Sequence, residues 1–191
     1  MIRKYLDKDF IRVRDITIKY WRDEVAMDKE LESFIYDFLV RYYLHNNDYC
    51  FVNEDEEVNA FLLANMKDET NDSIEYFERE INKLSVNNQQ GARKYLEYLE
   101  YNHSKVFSHM SDNSIYLGLL ASEKKGMGSA LINKLKEEAK ENGVDSIYLW
   151  TDETCNFHYY EKKDFVLIEE YEVLLFSKKL KTFVYKLKVF N

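Results

Sequence analysis

The chain has 191 residues, enough for one domain with a sizeable core, and a hydrophobic fraction of 46% with an aromatic fraction of 16% excludes a disordered protein. Its formal net charge of -8 argues against non-specific binding of nucleic acid, and its two cysteines are too few for a secreted disulfide scaffold. Because the first residues lack a signal-peptide core and no segment has the ~18 apolar residues of a membrane span, we expect a soluble cytoplasmic protein that binds neither nucleic acid nor a membrane.

The N-terminal part of the chain predicts helices and one antiparallel hairpin. Residues 7–20 fit either a short helix or a strand. From Met27 to Leu44, apolar residues recur at spacings of three and four, which predicts an amphipathic helix. Two short apolar strands, at 49–52 and 58–64, flank an acidic turn at 53–57 and predict a hairpin. We interpret the acidic turn as a solvated hairpin tip in preference to a cation site.

The middle of the chain predicts two more helices, at 73–84 and 92–110, each with apolar residues on one face. The polar segment 87–91 predicts a loop between them, and residues 102–104 suggest a break in the second helix. These helices lie between two strand regions, so we interpret them as an insertion or lid.

The last third has the clearest pattern. Residues 115–121 are nearly all apolar, which is typical of a strand covered on both faces. A helix at 127–142 follows, Gly143 ends it as a left-handed cap, and 147–150 forms a second buried strand. Strand, helix and strand with such short connections predict a βαβ unit. The chain then continues into a predicted short helix and a terminal hairpin, at 154–162, 165–175 and 181–190.

The turn between the first of these strands and its helix carries the strongest chemical signal. An apolar strand stops, two lysines and two glycines follow, and a helix begins at once. The free N–H groups and the dipole of a helix N-terminus favour an anion. Gly126 and Gly128 allow a phosphate to approach the backbone, and Lys124 and Lys125 add positive charge. The pattern predicts a phosphate or pyrophosphate site.

Other phosphate-binding motifs fit this turn less well. No Gly-Lys-Ser/Thr ends the loop, which excludes a P-loop. A dinucleotide-binding motif would have Gly or Ala where the chain has Leu131, and would stand near the start of a doubly wound sheet. Two alternatives stay open at this point: a glycine-started helix without a ligand, and a nucleotide-binding protein.

Two segments resemble motifs of the GCN5-related N-acetyltransferases, the GNAT superfamily. The sequence EKKGMGSAL, which begins at Glu123, resembles the acetyl-CoA motif Arg/Gln-x-x-Gly-x-Gly/Ala, with Glu123 in place of the usual Arg or Gln. The sequence YEKKDF, which begins at Tyr160, is similar to the family's Tyr-Glu-Lys-x-Gly-Phe. Asp164 replaces the usual Gly there, and Asp tolerates left-handed backbone better than most residues. Asn156 resembles the Asn that opens this second motif.

The resemblance covers about residues 112–175 and implies an α+β fold of layered α/β type. This fold has a mixed, mostly antiparallel central sheet flanked by helices, with a splayed strand pair and, here, extra helices inserted around 70–110. It also implies a single acetyltransferase-like domain over residues 1–191. Residues 1–110 would form the acceptor side of this domain, and residues 111–191 the half that binds acetyl-CoA.

The same resemblance implies an N-acetyltransferase that moves an acetyl group from acetyl-CoA, as acyl-donor substrate, to an amine by direct attack. The acceptor would be a small-molecule amine or a peptide amine. Tyr160 would be the general acid, and no metal is implied. The main chain of the strand would bind the pantetheine arm and the loop the pyrophosphate. The cofactor-binding residues implied are Leu119, Leu120, Ala121, Lys124, Lys125, Gly126, Met127, Gly128, Ser129 and Asn156.

Several points stay open at the level of sequence. The general base is not assigned, and Asp152, Glu153 and a chain of water molecules are its candidates. His158 lies near Tyr160 and is weighed as a site residue against a packed or surface histidine. A catalytically weak acyl-CoA-binding sensor or partner module of the same fold is the alternative function. Whether the chain forms a homodimer is also left open.

Overall fold

One mixed sheet of seven strands, covered by helices, makes up the described part of the chain, which is residues 1–21, 28–46 and 48–190 of a computed structural model. The helices are α1 (Phe10–Trp21), α2 (Lys29–Tyr43), α3 (Ser73–Ile81), α4 (Val86–Phe107), α5 (Met127–Glu141) and α6 (His158–Glu161). The strands are β1 (Ile2–Lys4), β2 (Phe51–Glu54), β3 (Val58–Met66), β4 (Ser114–Ser122), β5 (Ser146–Asp152), β6 (Val166–Leu175) and β7 (Lys178–Lys188). No helix among the described residues is long and apolar enough to cross a membrane.

The sheet has the order β1-β2-β3-β4-β5-β7-β6, and only the central pair β4–β5 is parallel. This pairing is short, since it joins Ser114–Tyr116 to Ser146–Tyr148 and goes no further. Beyond these residues β4 stays paired with β3, and β5 stays paired with β7. The two central strands therefore separate toward their C-terminal ends, and this confirms the predicted splayed pair and the predicted fold class.

Two apolar layers form, one on each face of the sheet. Helices α1 to α4 pack on one face, where Phe77 contacts the Phe34 and Phe38 rings at centroid distances of 5.3 and 4.8 Å. Helix α5 packs on the other face through Leu131 and Leu135. Because neighbouring residues of a strand point to opposite faces, the inner strands are apolar at almost every position. This double burial explains the continuous apolar runs in the sequence.

Gly118 allows α2 to approach the point where β4 leaves β5. A Cβ atom built on this glycine would lie 2.1 Å from Cδ1 of Tyr43, so any other residue would displace that ring. The register between β3 and β4 also shifts here, between Leu63 and Ala64, which leaves Gly118 as the extra residue of a bulge. A bulge bends its strand, and this bend lies two residues after Tyr116, the last residue of β4 that pairs with β5.

The predicted loop at 87–91 is wrong, because α4 begins at Val86 and runs through it. The polar residues of this segment have tertiary partners that a loop would not need. The side-chain amide of Asn88 is buried and donates to the carboxylates of Asp28 and Glu30 at the start of α2. The absence of a side chain on Gly91 allows Leu31 to pack closely against α4.

The predicted break at 102–104 is also wrong, since α4 continues to Phe107. Asn102 is fully buried, donates to the carbonyl oxygen of Tyr98 at 2.9 Å and accepts from the Tyr171 hydroxyl at 2.6 Å. Both hydrogen bonds satisfy the amide inside the helix, so the helix does not need to open.

The remaining elements follow their predicted positions with small shifts. The ambiguous segment 7–20 is mostly helix α1, and the helix predicted from Met27 begins at Lys29 within the described residues, since Met27 itself lies outside them. The short helix predicted at 154–162 is reduced to the four residues of α6. Asp164 has a φ of 67°, which confirms the left-handed backbone expected at that position.

His103 of α4 gives the fold a measurable pH dependence. Burial among aromatic rings lowers the pKa of His103 to about 4, with the Phe107 ring 3.9 Å away between centroids. As the pH falls from about 6.5 toward 4, the unfolded chain takes up a proton that the folded chain does not, so stability is lost across this window. Between about pH 7.5 and about pH 5, this loss is expected to be about 2 kcal/mol.

Urea unfolding of the wild type and of His103→Gln at both pH values checks this expectation. The variant should lose about 2 kcal/mol less than the wild type on acidification, because Gln does not titrate. Titrating groups that do not interact with His103 cancel in the comparison, whereas the charge of His45 also lowers the pKa of His103 and belongs to the same effect. Equal losses in the two proteins would contradict the assignment to His103.

Candidate active site

A cavity of about 500 Å³ opens where β4 and β5 separate. Its lining includes side chains from both faces of the sheet, so the cavity passes through the sheet at the gap between the two strands. Among the described residues, no group of three or more His, Cys, Asp or Glu side chains is arranged to hold a metal ion. The predicted site residues that line the cavity are Leu119, Leu120, Ala121, Lys124, Lys125, Gly126, Gly128, Ser129, Asn156 and Tyr160.

The N-terminus of α5 forms one end of this lining. Gly126 is its N-cap, with a φ of 87°, and no side chain caps the helix. The N–H of Ala130 is the first to bond within the helix, to the Gly126 oxygen at 3.1 Å, so the N–H groups of Gly128 and Ser129 stay free among the described residues. Free N–H groups beside the cavity suit a phosphate, and this is the arrangement that the sequence predicts.

Gly128, at the start of α5, lies close to the Tyr159 side chain of α6. A Cβ atom built there would lie 3.1 Å from the hydroxyl oxygen of Tyr159. That hydroxyl also lies 3.2 Å from Oγ of Ser129. A larger residue at this position would therefore press against the Tyr159 hydroxyl between α5 and α6.

Met127 is the one predicted cofactor-binding residue that does not line the cavity. Its side chain packs against the apolar layer on the α5 face. Its N–H donates to the Lys124 oxygen at 3.2 Å and is therefore already bonded. The structure therefore places Met127 in the apolar layer and outside the lining of the cavity.

Tyr160 lines the cavity from α6, on the opposite side of the gap from β4. Its ring packs between Phe165 and Tyr185, at centroid distances of 5.7 and 6.1 Å. Burial raises the pKa of Tyr160, so its phenol stays protonated at neutral pH. The hydroxyl forms no hydrogen bond with any other described residue and is available to donate to a ligand. His158, by contrast, points outward and pairs with Glu161 at 3.0 Å.

Comparison with known proteins adds to this geometry through structure alone. No protein-family model matches the sequence, and no curated protein matches it. An acetyltransferase of the GNAT family from Staphylococcus aureus Mu50 is similar with 13% identity and a TM-score of 0.57, over 99% of this chain and 98% of that chain. The ribosomal-protein-alanine N-acetyltransferase from Brucella melitensis is similar with 14% identity and a TM-score of 0.59, over 98% and 99%. A mutant agmatine N-acetyltransferase in its apo form is similar with 13% identity and a TM-score of 0.54, over 98% of this chain and 99% of that chain.

The chain has the GNAT fold. The split between β4 and β5, with a glycine-started helix after β4, is the feature of this fold that holds the predicted site residues together. Because the identities are low, the likeness shows the fold and leaves the activity to be argued from the residues.

Glu123 departs from the basic residue or Gln that the GNAT motif usually has, and the structure gives it a different task. Its carboxylate accepts from Arg12 at 2.6 Å and from Lys19 at 2.7 Å, so it fastens α1 to the end of β4. The hydrogen bond from Lys19, with Arg12 nearby, lowers the pKa of Glu123. Tyr20 adds a third link, because its hydroxyl donates to the Ser122 oxygen at 2.7 Å.

The two lysines of the loop differ in their surroundings. Lys124 pairs with Asp55 of the acidic hairpin tip at 2.7 Å, and this hydrogen bond lowers the pKa of Asp55 to about 2. Lys125 is exposed and has no ion-pair partner among the residues that the structure describes. Lys125 is thus the cation of the loop whose charge is available to an anion, and the hairpin tip is tied to the loop through Lys124.

Glu123→Arg is expected to lower the melting temperature by about 4 °C without raising the affinity for CoA. The change would place a third cation beside Arg12 and Lys19 and would remove two charged hydrogen bonds. Thermal unfolding and calorimetric titration with CoA measure the two quantities. An unchanged melting temperature with tighter CoA binding would show that position 123 faces the ligand and not α1.

The opposite wall of the cavity is aromatic, and the sequence did not reveal it as part of the site. Tyr95 and Tyr98 of α4 and Trp150 of β5 line it, and the Tyr98 and Trp150 rings meet edge to face at 5.5 Å. The indole N–H of Trp150 donates to the Tyr116 hydroxyl at 2.7 Å, which fixes the ring. In the sequence, only the spacing of three residues between Tyr95 and Tyr98 could have indicated this wall. The same spacing is typical of any helix that faces an apolar core.

Proposed function

We propose that the protein is an N-acetyltransferase that takes its acetyl group from acetyl-CoA and transfers it to a small-molecule amine or a peptide amine. The observation that carries this proposal is that one cavity joins three features: the free N–H groups of α5, the unpaired edge of β4 and the phenol of Tyr160. The N–H groups of α5 suit a pyrophosphate, and the edge of β4 suits an extended arm with amide groups. The phenol of Tyr160 can donate a proton to a departing thiolate.

Each group of residues has a role in this proposal. Acetyl-CoA, when bound, supplies an acetyl group activated as a thioester. The main chain of Leu119, Leu120 and Ala121 binds the pantetheine arm as a neighbouring strand would, and the start of α5 with Lys125 binds the pyrophosphate. The acceptor nitrogen forms a bond to the acetyl carbon, and Tyr160 donates its proton to the sulfur as the carbon–sulfur bond breaks. The proton that the nitrogen loses restores the phenol or passes to solvent.

A second candidate is a catalytically weak protein of the same fold that binds acyl-CoA as a sensor. The observation in its favour is the low positive charge of the loop, where Glu123 replaces a basic residue and Lys124 is already paired with Asp55. Fewer cations at the helix end reduce the affinity for a pyrophosphate. Weak binding of the donor would limit turnover without preventing recognition.

Calorimetric titration and a thiol-release assay separate these functions. Titration with CoA, acetyl-CoA, NAD and ATP tests the ligand class, and binding of CoA but not of NAD or ATP is expected. Thiol release from acetyl-CoA over a panel of amines, with the product identified by mass spectrometry, tests the chemistry. Binding without amine-dependent release would favour the sensor, and preference for ATP or NAD would overturn both proposals.

A further inference from the structure

Asp152 is a buried carboxylate in the cavity that has hydrogen bonds but no counter-ion. It is the last residue of β5, it is 3% exposed, and it belongs to the lining of the cavity. The Tyr98 hydroxyl donates to its Oδ2 at 2.9 Å, and the N–H of Thr154 donates to its Oδ1 at 2.9 Å. No Lys, Arg or His among the described residues lies within ion-pair distance of it. A buried carboxylate that lines a cavity and is held by hydrogen bonds alone is placed to pair with a cationic ligand.

The position of Tyr98 shows which side of the sheet this carboxylate faces. Tyr98 belongs to α4, which covers the face opposite to α5. The Asp152 carboxylate is therefore directed to the side of the cavity away from the helix end that suits a phosphate. The two lysines of the lining, Lys124 and Lys125, belong to that helix end, whereas Asp152 is the carboxylate of the lining. The cavity thus has charges of opposite sign on its two sides.

The surroundings of Asp152 favour an ammonium ion over a metal or a water molecule. The Tyr98 ring, whose hydroxyl donates to Asp152, meets the Trp150 ring edge to face, and Tyr95 lies next to Tyr98 with a centroid distance of 6.1 Å. All three rings line the cavity. Aromatic faces attract organic cations, and a carboxylate supplies the opposite charge and the hydrogen-bond acceptors.

We propose that Asp152, oriented by Tyr98 and sharing the cavity wall with Trp150 and Tyr95, binds a positively charged amine group of the acceptor. This inference rests on the proposed function and narrows it, because it makes an amine that is cationic at neutral pH the preferred acceptor. Alkylamines belong to this class, whereas arylamines and other uncharged amines do not. It also gives α4, the longer of the two inserted helices, a part in choosing the substrate.

A pair of matched ligands tests the charge preference without relying on activity. Cyclohexylmethylamine and cyclohexylmethanol have nearly the same shape, but only the amine is charged at neutral pH. Trp150 lies in the cavity wall, so titration followed by tryptophan fluorescence reports binding of either ligand. We expect the wild type to bind the amine about 10–100-fold more tightly than the alcohol, as expected for a charged hydrogen-bonded pair.

Asp152→Asn should remove this preference, and Glu153→Gln should keep it. Both variants lose one negative charge, but Glu153 is exposed and accepts from the N–H of Lys181 outside the cavity. Equal binding of the two ligands by the wild type, an undiminished preference in Asp152→Asn, or an equal loss in Glu153→Gln would each overturn the inference. If Asp152→Asn does not fold, Tyr98→Phe provides the test, because it keeps the Asp152 charge but removes the hydrogen bond that orients the carboxylate. A several-fold smaller preference for the amine in this variant supports the inference, and an unchanged preference overturns it.

Failure of this inference and failure of the proposed function give different results. CoA binding and thiol release are measured on the same protein samples. A wild type that does not bind CoA but shows the preference dependent on Asp152 would overturn the proposed function and support the cation site. A wild type that turns over acetyl-CoA with charged and uncharged amines equally, and does so unchanged in Asp152→Asn, would overturn the cation site alone.

Discussion

Tyr160→Phe is expected to lower kcat by about 10²–10⁴-fold, the usual contribution of one general acid. The KM for acetyl-CoA should change little, because the hydroxyl acts mainly on the departing sulfur. Burial raises the pKa of Tyr160 and keeps the proton on the phenol, and the hydroxyl has no described hydrogen-bond partner to compete for that proton. Steady-state kinetics with the best amine of the panel measures both constants.

Tyr159→Phe is the matched control for this change. Its hydroxyl lies 3.2 Å from Oγ of Ser129 at the start of α5. Its loss should therefore affect CoA affinity slightly and leave kcat near the wild-type value. Impairment of kcat in Tyr159→Phe alone would shift the general acid by one residue. Full activity in both variants would leave solvent as the proton donor and refute the role of Tyr160.

Gly126→Val is expected to weaken CoA binding by about 10²-fold or more, whereas Gly143→Val should leave it unchanged. Both glycines have a positive φ, 87° and 70°, and a Cβ at either position meets no atom within 4 Å. The two changes therefore carry a similar backbone strain. Only Gly126 lines the cavity, where a side chain would hold an anion away from the N–H groups of α5.

Calorimetric titration with CoA and thermal unfolding of both variants check this pair. The two melting temperatures should fall by similar amounts, and the affinities should differ. Gly128→Val offers a third test, because its side chain would press against the Tyr159 hydroxyl beside the start of α5. If the Gly126 and Gly128 variants bind CoA as the wild type does, the start of α5 is not the phosphate site.

The sequence predicts the C-terminal half of the fold well because strong local signals mark its boundaries. The helix predicted at 127–142 is observed at Met127–Glu141, between two glycines that have left-handed backbone. The strands on either side are continuous apolar runs, as burial on both faces requires. The end of the cavity that holds the free N–H groups of α5 lies in this half, so its residues could be named from their order along the chain.

The aromatic side of the cavity could not be predicted in the same way, because its contacts join distant parts of the chain. Tyr98 and Asp152 are separated by 54 positions, and nothing in either segment indicates that they meet. Asn88 resembles a loop residue until Asp28 and Glu30 are placed beside it. Propensity is local, and it fails where tertiary hydrogen bonds satisfy a polar side chain inside a helix.

The pairing of β3 with β4 has a consequence for synthesis on the ribosome. Strand β3 is almost entirely buried, and its inner edge is covered only when β4 pairs with it, after α3 and α4 have been made. Until then the nascent chain carries an apolar strand with an open edge, the feature that draws unfolded chains together. Fragments that end before Ser114 should therefore aggregate or recruit chaperones, and slower translation of α3 and α4 should lengthen this exposure. Because α3 and α4 lie between β3 and β4 in the chain, pairing of these two strands must close a long loop, which favours a slow folding step.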